Sequence, residues 1–268
     1  MASAHTHISA GLLLGVAVGG ALHLDAAAMA LFAASSGGAA LLADADTPNS
    51  AIYNAGGLIS KVPLWFLRKS VEDKHRGPTH SPFFLGLVVA AVSLLGWFPG
   101  HLPIHWFASH DEWLPVGWPD RIALPVVLSV LFTRTTLTLG TPMNFRPLIS
   151  KHHRRFIMLI VAVVVAYCGY VLSAAPHFSL GMTLAVGAGY ASHLLTDWPT
   201  ERGIPLAWPF SRRRYALAHI KVYGFIDYFA GLLFFGFAVW LYIKTAHGGG
   251  VPVSSTVSHV VHAIARHK

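Results

Sequence analysis

Four short polar motifs in this chain combine histidine, aspartate and hydroxyl side chains at spacings that suit metal chemistry. In "HTH" at 5–7, His7 abuts an apolar run and is the better ligand candidate, while His5 reads equally well as a solvated terminus. In "DAD" at 44–46, Asp44 and Asp46 stand two residues apart, which suits a hard or borderline cation such as Zn²⁺, Mn²⁺ or Mg²⁺. These acids close an apolar stretch, where the negative end of a helix dipole disfavours them unless a positive charge compensates. In "HRGPTHS" at 75–81, His75 and His80 flank a Gly-Pro turn that could fold both imidazoles toward one point. Arg76 is a natural partner for phosphate or carboxylate oxygens, and Thr79 or Ser81 could cap the helix that follows. In "SHLLTDWPTERGIPLAWPF", from 192, His193 and Asp197 are four residues apart and so share one helix face. Pro199 then ends that helix, and Gly203 and Pro205 make a tight exit.

Each motif also has a plain reading. A pair of acids can be solvated, and one His–Asp pair can satisfy itself. A basic loop can touch anionic lipid; that accounts for Lys74 and Arg76 but not for two histidines. What decides between the readings is where the motifs sit.

The chain has 268 residues, 54% hydrophobic and only 11% charged, against about 25% charged in ordinary soluble domains. A membrane-spanning helix needs about 20 predominantly apolar residues. Runs at 8–22, 26–43, 81–98, 122–140, 156–175, 179–196 and 224–243 approach or meet that requirement. The expected fold is therefore all-α, a polytopic membrane bundle of about seven spans. Residues 1–243 would form one membrane-embedded domain, and 244–268 a flexible or amphipathic tail. The N-terminus lacks the basic region of a signal peptide and reads as a retained first helix.

Lys and Arg concentrate in 44–80, 141–155 and 197–223, so these loops are expected on the cytoplasmic side, with the N-terminus in and the C-terminus out. All four polar motifs then converge at one membrane face. The single cysteine, Cys168, lies within an apolar run and rules out a disulfide framework or a thiolate metal site. The net charge of +8 reflects loop topology, so neither nucleic acid nor an obligate protein partner is expected. Elsewhere the plain readings win. The loop with His101, His105, His110, Asp111 and Glu112 could hold a second metal, but Trp97, Trp106, Trp113 and Trp118 mark it as interfacial. Arg134, inside an apolar run, is a weak candidate for contacting a substrate anion.

In their order, Thr6-His7, the Asp44/Asp46 pair, "HRGPTHS" and "SHLLTDWPTERGIPLAWPF" resemble the YdjM-like family of inner-membrane proteins, regarded as metal-dependent hydrolases and in part LexA-regulated. That family is in turn distantly similar to the all-helical zinc-dependent phospholipase C and single-strand nuclease superfamily. Carried over residue by residue, the resemblance implies a ligand set of His7, Asp44 or Asp46, His75, His80, His193 and Asp197, and a phosphoester as the substrate.

That set exceeds the three protein ligands of a typical catalytic zinc, which suggests two or more ions. A bound metal, zinc before manganese or magnesium, would acidify water, with Asp46 or Asp197 as base or water-orienting group. Arg76 and Arg202 would hold phosphoryl oxygens, with Thr79, Ser81 and Thr200 as further substrate contacts. The expected substrate is a membrane lipid or similar amphiphile whose headgroup reaches the cytoplasmic edge. A transporter would instead place ionisable groups near the midplane in broken helices, and a scaffold with a structural metal would show a closed site.

Overall fold

A computed structural model describes residues 3–46, 77–97, 160, 163–164, 178–221 and 224–246. Among these the chain is helical, without a β-strand, and it builds outward from the first helix, α1 (Ala4–Ala21). Ser3 is extended and its hydroxyl accepts the Thr6 N–H at 3.3 Å, an N-cap that starts the helix four residues before the apolar run at 8. His5 and His7 therefore lie within α1 rather than ahead of it.

Asp25 caps α2 (Ala26–Ala39) by accepting the Ala28 N–H at 2.8 Å. The chain then tightens into a 3₁₀ turn over Leu42–Asp46. The α-helix thus ends four residues before the end of the apolar run at 26–43, and Asp44 sits in the 3₁₀ turn beyond it. A second 3₁₀ turn, Pro78–His80, leads into α3 (Pro82–Trp97). There the Ser81 hydroxyl donates to the Pro78 carbonyl at 2.6 Å and accepts the Phe84 N–H at 3.2 Å, so Ser81 is the capping residue. The last two helices are α4 (Phe178–Asp197) and α5 (Phe225–Ala246). Between them, isolated bridges pair Thr200 with Ile220 and Ile204 with Tyr215. Gly203, at φ +57°, makes the turn; a Cβ there would meet the Tyr215 carbonyl.

Helix α1 packs against α2, α4 and α5, while α3 leans on α4. Small residues set the spacing. A Cβ on Gly15 would stand 2.7 Å from the Ala33 Cα on α2, and one on Gly189 of α4 would run into the Ser36 carbonyl. Gly11, Gly15 and Gly19 recur every four residues along α1, the small-residue pattern that lets membrane helices approach at backbone distance. At its N-terminus α1 is tied to α5: the Asp227 carboxylate accepts the Ser3 N–H at 2.9 Å and the Thr6 hydroxyl at 2.7 Å.

Three stretches, Ala4–Ala21, Ala26–Ala45 and Phe225–Ala246, are long and apolar enough to cross a membrane, and Pro82–Leu94 is a shorter apolar helix. Phe225, Ile226, Leu232 and Trp240 are exposed along α5, a surface suited to lipid rather than water. The expected helices at 81–98, 179–196 and 224–243 are found close to their sequence boundaries. Those at 122–140 and 156–175, the 101–112 loop, Arg134 and the tail beyond 246 lie outside the described residues, apart from isolated positions in the second run.

Because the neighbour of Gly15 is backbone and cannot yield, Gly15→Leu should destabilise the protein by about 1–3 kcal/mol, the usual overpacking cost. Gly86→Leu is the control, since a Cβ there meets nothing within 4 Å among the described residues. Thermal unfolding in detergent should show a lowered midpoint for the first variant and an unchanged one for the second.

Candidate metal centre

The bundle brings chemistry to one end. His7 comes from the first turns of α1, Asp44 from the 3₁₀ turn after α2, His80 from the turn before α3, and His193 and Asp197 from the last turn of α4. His7, His80, His193 and Asp197 are fully buried and Asp44 nearly so.

Hydrogen bonds at the outer ring nitrogens orient the histidines. His193 Nδ1 lies 2.5 Å from the Ala40 carbonyl. A carbonyl can only accept, so Nδ1 carries the proton and Nε2 presents a lone pair. His7 Nδ1 lies 2.7 Å from the Thr196 hydroxyl, whose oxygen is also 3.0 Å from the Ser192 and His193 carbonyls. Thr196 has one proton to give and donates it to that pair of carbonyls, so it accepts from His7, whose Nε2 is likewise left basic. His80 Nδ1 is 3.1 Å from the Thr79 hydroxyl, and Tyr190 donates to the Thr79 carbonyl, holding that turn against α4. The rings of His7 and His193 stack with centroids 3.7 Å apart, an arrangement that suits neutral imidazoles and not two cations.

All three Nε2 atoms face the two carboxylates. His80 Nε2 is 3.4 Å from Asp44 Oδ1 and 3.6 Å from Asp197 Oδ2. His193 Nε2 is 3.5 Å from Asp197 Oδ2 and 3.9 Å from Asp44 Oδ1, and His7 Nε2 is 3.5 Å from Asp197 Oδ1. His7 Nε2, His193 Nε2 and Asp44 Oδ1 are buried with no hydrogen-bond partner among the described residues. Native proteins rarely leave buried polar atoms in that state without an ion or water to satisfy them.

These residues fit a metal ion. Donors about 2.0–2.1 Å from a tetrahedral zinc stand roughly 3.4 Å from one another, close to the spacings above. Two overlapping triads could hold an ion, His7/His193/Asp197 and Asp44/His80/His193. They share His193, which has one lone pair left to give, so the two triads overlap and cannot each be complete around its own ion at once. Two carboxylates buried among neutral imidazoles are costly unless charge is supplied, and a divalent cation would balance them. Burial also pushes the His80 imidazole below its ordinary value, against the opposing pull of Asp44, toward the neutral form a metal requires.

A family profile described as YdjM inner membrane protein matches residues 1–265. The chain belongs to the YdjM inner membrane protein family. No curated protein and no solved structure matches it. The match embraces every motif of the centre, so in this YdjM chain the His/Asp cluster lies in an inner-membrane protein.

Not every sequence candidate joins the cluster. His5 is half-buried near Asp227 and outside both triads. Ser81 caps α3, Thr200 donates to the Asp197 carbonyl at 2.7 Å, and Arg202 is exposed beyond α4. His75, Arg76 and the side chain of Asp46 lie outside the described residues. Sequence reading missed Thr196, Tyr190 and Asp227. Asp227 carried a usable signal, an acid inside an apolar run; Thr196 and Tyr190 carried none, because their partners come from distant segments.

Purified protein should contain near-stoichiometric divalent metal by mass spectrometry. His80→Ala and His193→Ala should both lose it, and retention in both would refute the shared centre. Thr196→Val should keep the ligands yet weaken affinity about 10- to 100-fold, the usual effect of losing an orienting partner. Acid should also release the metal. His80 is held below the ordinary value of about 6.5, so it resists protonation at that pH and the ion should leave only at lower pH. For the metal-free protein the contribution of His80 has the same sign: the unfolded chain takes up the proton first, so the stability lost through His80 grows as pH drops below about 6.5.

Proposed function

We propose that this protein is a membrane-embedded metal-dependent hydrolase that cleaves a phosphoester in an amphiphilic substrate. The observation that carries the reading is the convergence of five buried donors, three imidazoles and two carboxylates, at one end of a bundle of apolar helices. The donor chemistry favours zinc, with manganese or magnesium as alternatives. His/carboxylate sets are typical of catalytic zinc, whereas structural zinc sites rely on cysteine.

His7, His80, His193, Asp44 and Asp197 would hold one ion. When bound, it would supply Lewis acidity to a phosphoryl oxygen and acidify water. The residues contribute the rest. Ala40 and Thr196 fix the tautomers of His193 and His7, so the site needs no proton rearrangement to accept its ion. Asp197 presents Oδ1 to His7 and Oδ2 to His80 and His193, which lets one oxygen serve as ligand while the other orients or accepts a proton from water. Asp46, Arg76 and Arg202 remain candidates for proton transfer and for binding phosphoryl oxygens. The family resemblance to phospholipase C-like enzymes supports a phosphoester by analogy alone.

The helix order also supports an odd number of spans. Helix α3 leaves the metal end and α4 returns to it, so both meet the connecting segment at the far end. An even number of crossings, such as the two apolar runs at 122–140 and 156–175, would join them, giving seven spans with the termini on opposite sides. The Lys/Arg distribution would then place the centre at the cytoplasmic face.

A second reading has one observation in its favour. Every donor is buried, as in a structural metal site. Turnover separates the two. In ¹⁸O-labelled water, metal-loaded protein in mixed lipid micelles should place the label in the released phosphate or phosphomonoester. Asp197→Asn should abolish release while leaving the helical circular dichroism intact. Metal-replete protein that leaves every phospholipid class uncleaved would favour the structural role.

A further inference from the structure

A cavity of about 400 Å³ lies beside the metal centre, between α1, α4 and α5. That is near the lower end of the roughly 300–1,000 Å³ of small-molecule sites, room for one slender group. Its walls are apolar, from Leu13, Leu14 and Ala17 on α1, Leu195 on α4, and Ala230 and Phe234 on α5. Its polar groups, Thr6, Ser192, Thr196, Thr200, Lys221 and Asp227, gather toward one end. That is the end of the bundle where the metal ligands lie. Thr196, which orients His7, forms part of the cavity wall.

The dimensions match a leaflet. From Thr6 to Ala17 the cavity follows α1 for about 16 Å at 1.5 Å per residue, and half of a hydrocarbon core of roughly 30 Å is 15 Å. Leu195 and Ile226 line the cavity and are more than half exposed, at 58% and 61%, so the cavity opens to the surface of the bundle. At the polar end Asp227 is already engaged with Ser3 and Thr6, whereas Lys221 is exposed. The charge on offer to an incoming headgroup is therefore positive.

We propose that this cavity holds one acyl chain of an anionic phospholipid, with its phosphate at Lys221. The proposal rests on the reading of the protein as acting on a membrane amphiphile, and it names which tail is bound and where. The substrate does not leave both tails in bulk lipid: one is drawn between α1, α4 and α5, which fixes the headgroup level with the ligand-bearing turns.

The test uses full-length protein in lipid nanodiscs containing phosphatidic acid with a photoactivatable group midway along one acyl chain. Adducts are mapped by mass spectrometry and metal content is measured on the same samples. Labelling should concentrate on Leu13, Leu14, Leu195 and Phe234. Ala17→Trp or Ala230→Trp, each filling the cavity, should reduce it to the level of the exposed α5 face without changing metal content. Lys221→Gln should lower the advantage over phosphatidylcholine bearing the same chain about fivefold, the loss of one basic contact. Labels spread evenly over Phe225, Leu232 and Trp240, or cavity labelling that survives both tryptophan variants, would overturn the proposal. Cavity labelling in a protein devoid of metal would support the chain site while removing the hydrolase reading, so the two can fail separately.

Discussion

Two carboxylates, Asp44 and Asp197, are buried against three imidazoles at one end of a bundle of apolar helices, and the rest of the structure answers to that fact. Each charge removed from water costs several kcal/mol unless something positive and well placed repays it. Two protonated histidines would be a poor answer, because the rings of His7 and His193 are stacked 3.7 Å apart and like charges would repel. A divalent cation answers both the charge and the unpaired nitrogens. It also explains why five side chains from distant stretches tolerate one another's company.

Bringing those side chains together requires the backbones to come close. The donors come from stretches far apart in the chain, and α1 has to lie near enough to α4 for the His7 ring to reach the Thr196 hydroxyl and the Asp197 carboxylate. Gly15 and Gly189 remove the side chains that would hold α2 away from its neighbours, and Asp227 ties the start of α1 to α5. The Ala40 carbonyl is available to His193 because α2 ends at Ala39, so its last carbonyls seek partners outside the helix. Helix ends that would otherwise need capping thus become the scaffold of the centre.

Much of this was legible in the sequence, for identifiable reasons. The apolar runs at 8–22, 81–98, 179–196 and 224–243 are long, so their helices emerged with small boundary shifts. His193 and Asp197 share a face because helical periodicity alone decides it, and the Gly-Pro turn before His80 is local chemistry. The early start of α1 was missed because a serine cap lies outside the apolar pattern, and the early end of α2 because a 3₁₀ turn shares the composition of the helix it follows. The partners that orient the ring nitrogens were out of reach. Thr196 meets His7 across 189 positions and Ala40 meets His193 across 153, pairings that only the packed fold creates. The family resemblance implied a set of His7, Asp44 or Asp46, His75, His80, His193 and Asp197, and of these the described residues bring together His7, Asp44, His80, His193 and Asp197.

The central claim is that these five residues surround one divalent ion. X-ray absorption at the zinc edge of zinc-loaded protein tests it most directly. The account predicts a first shell of nitrogen and oxygen at about 2.0–2.1 Å, with the outer-shell scattering of about three imidazoles. A shell of oxygen alone, or a sulfur contribution at about 2.3 Å, would place the ion elsewhere and contradict the account.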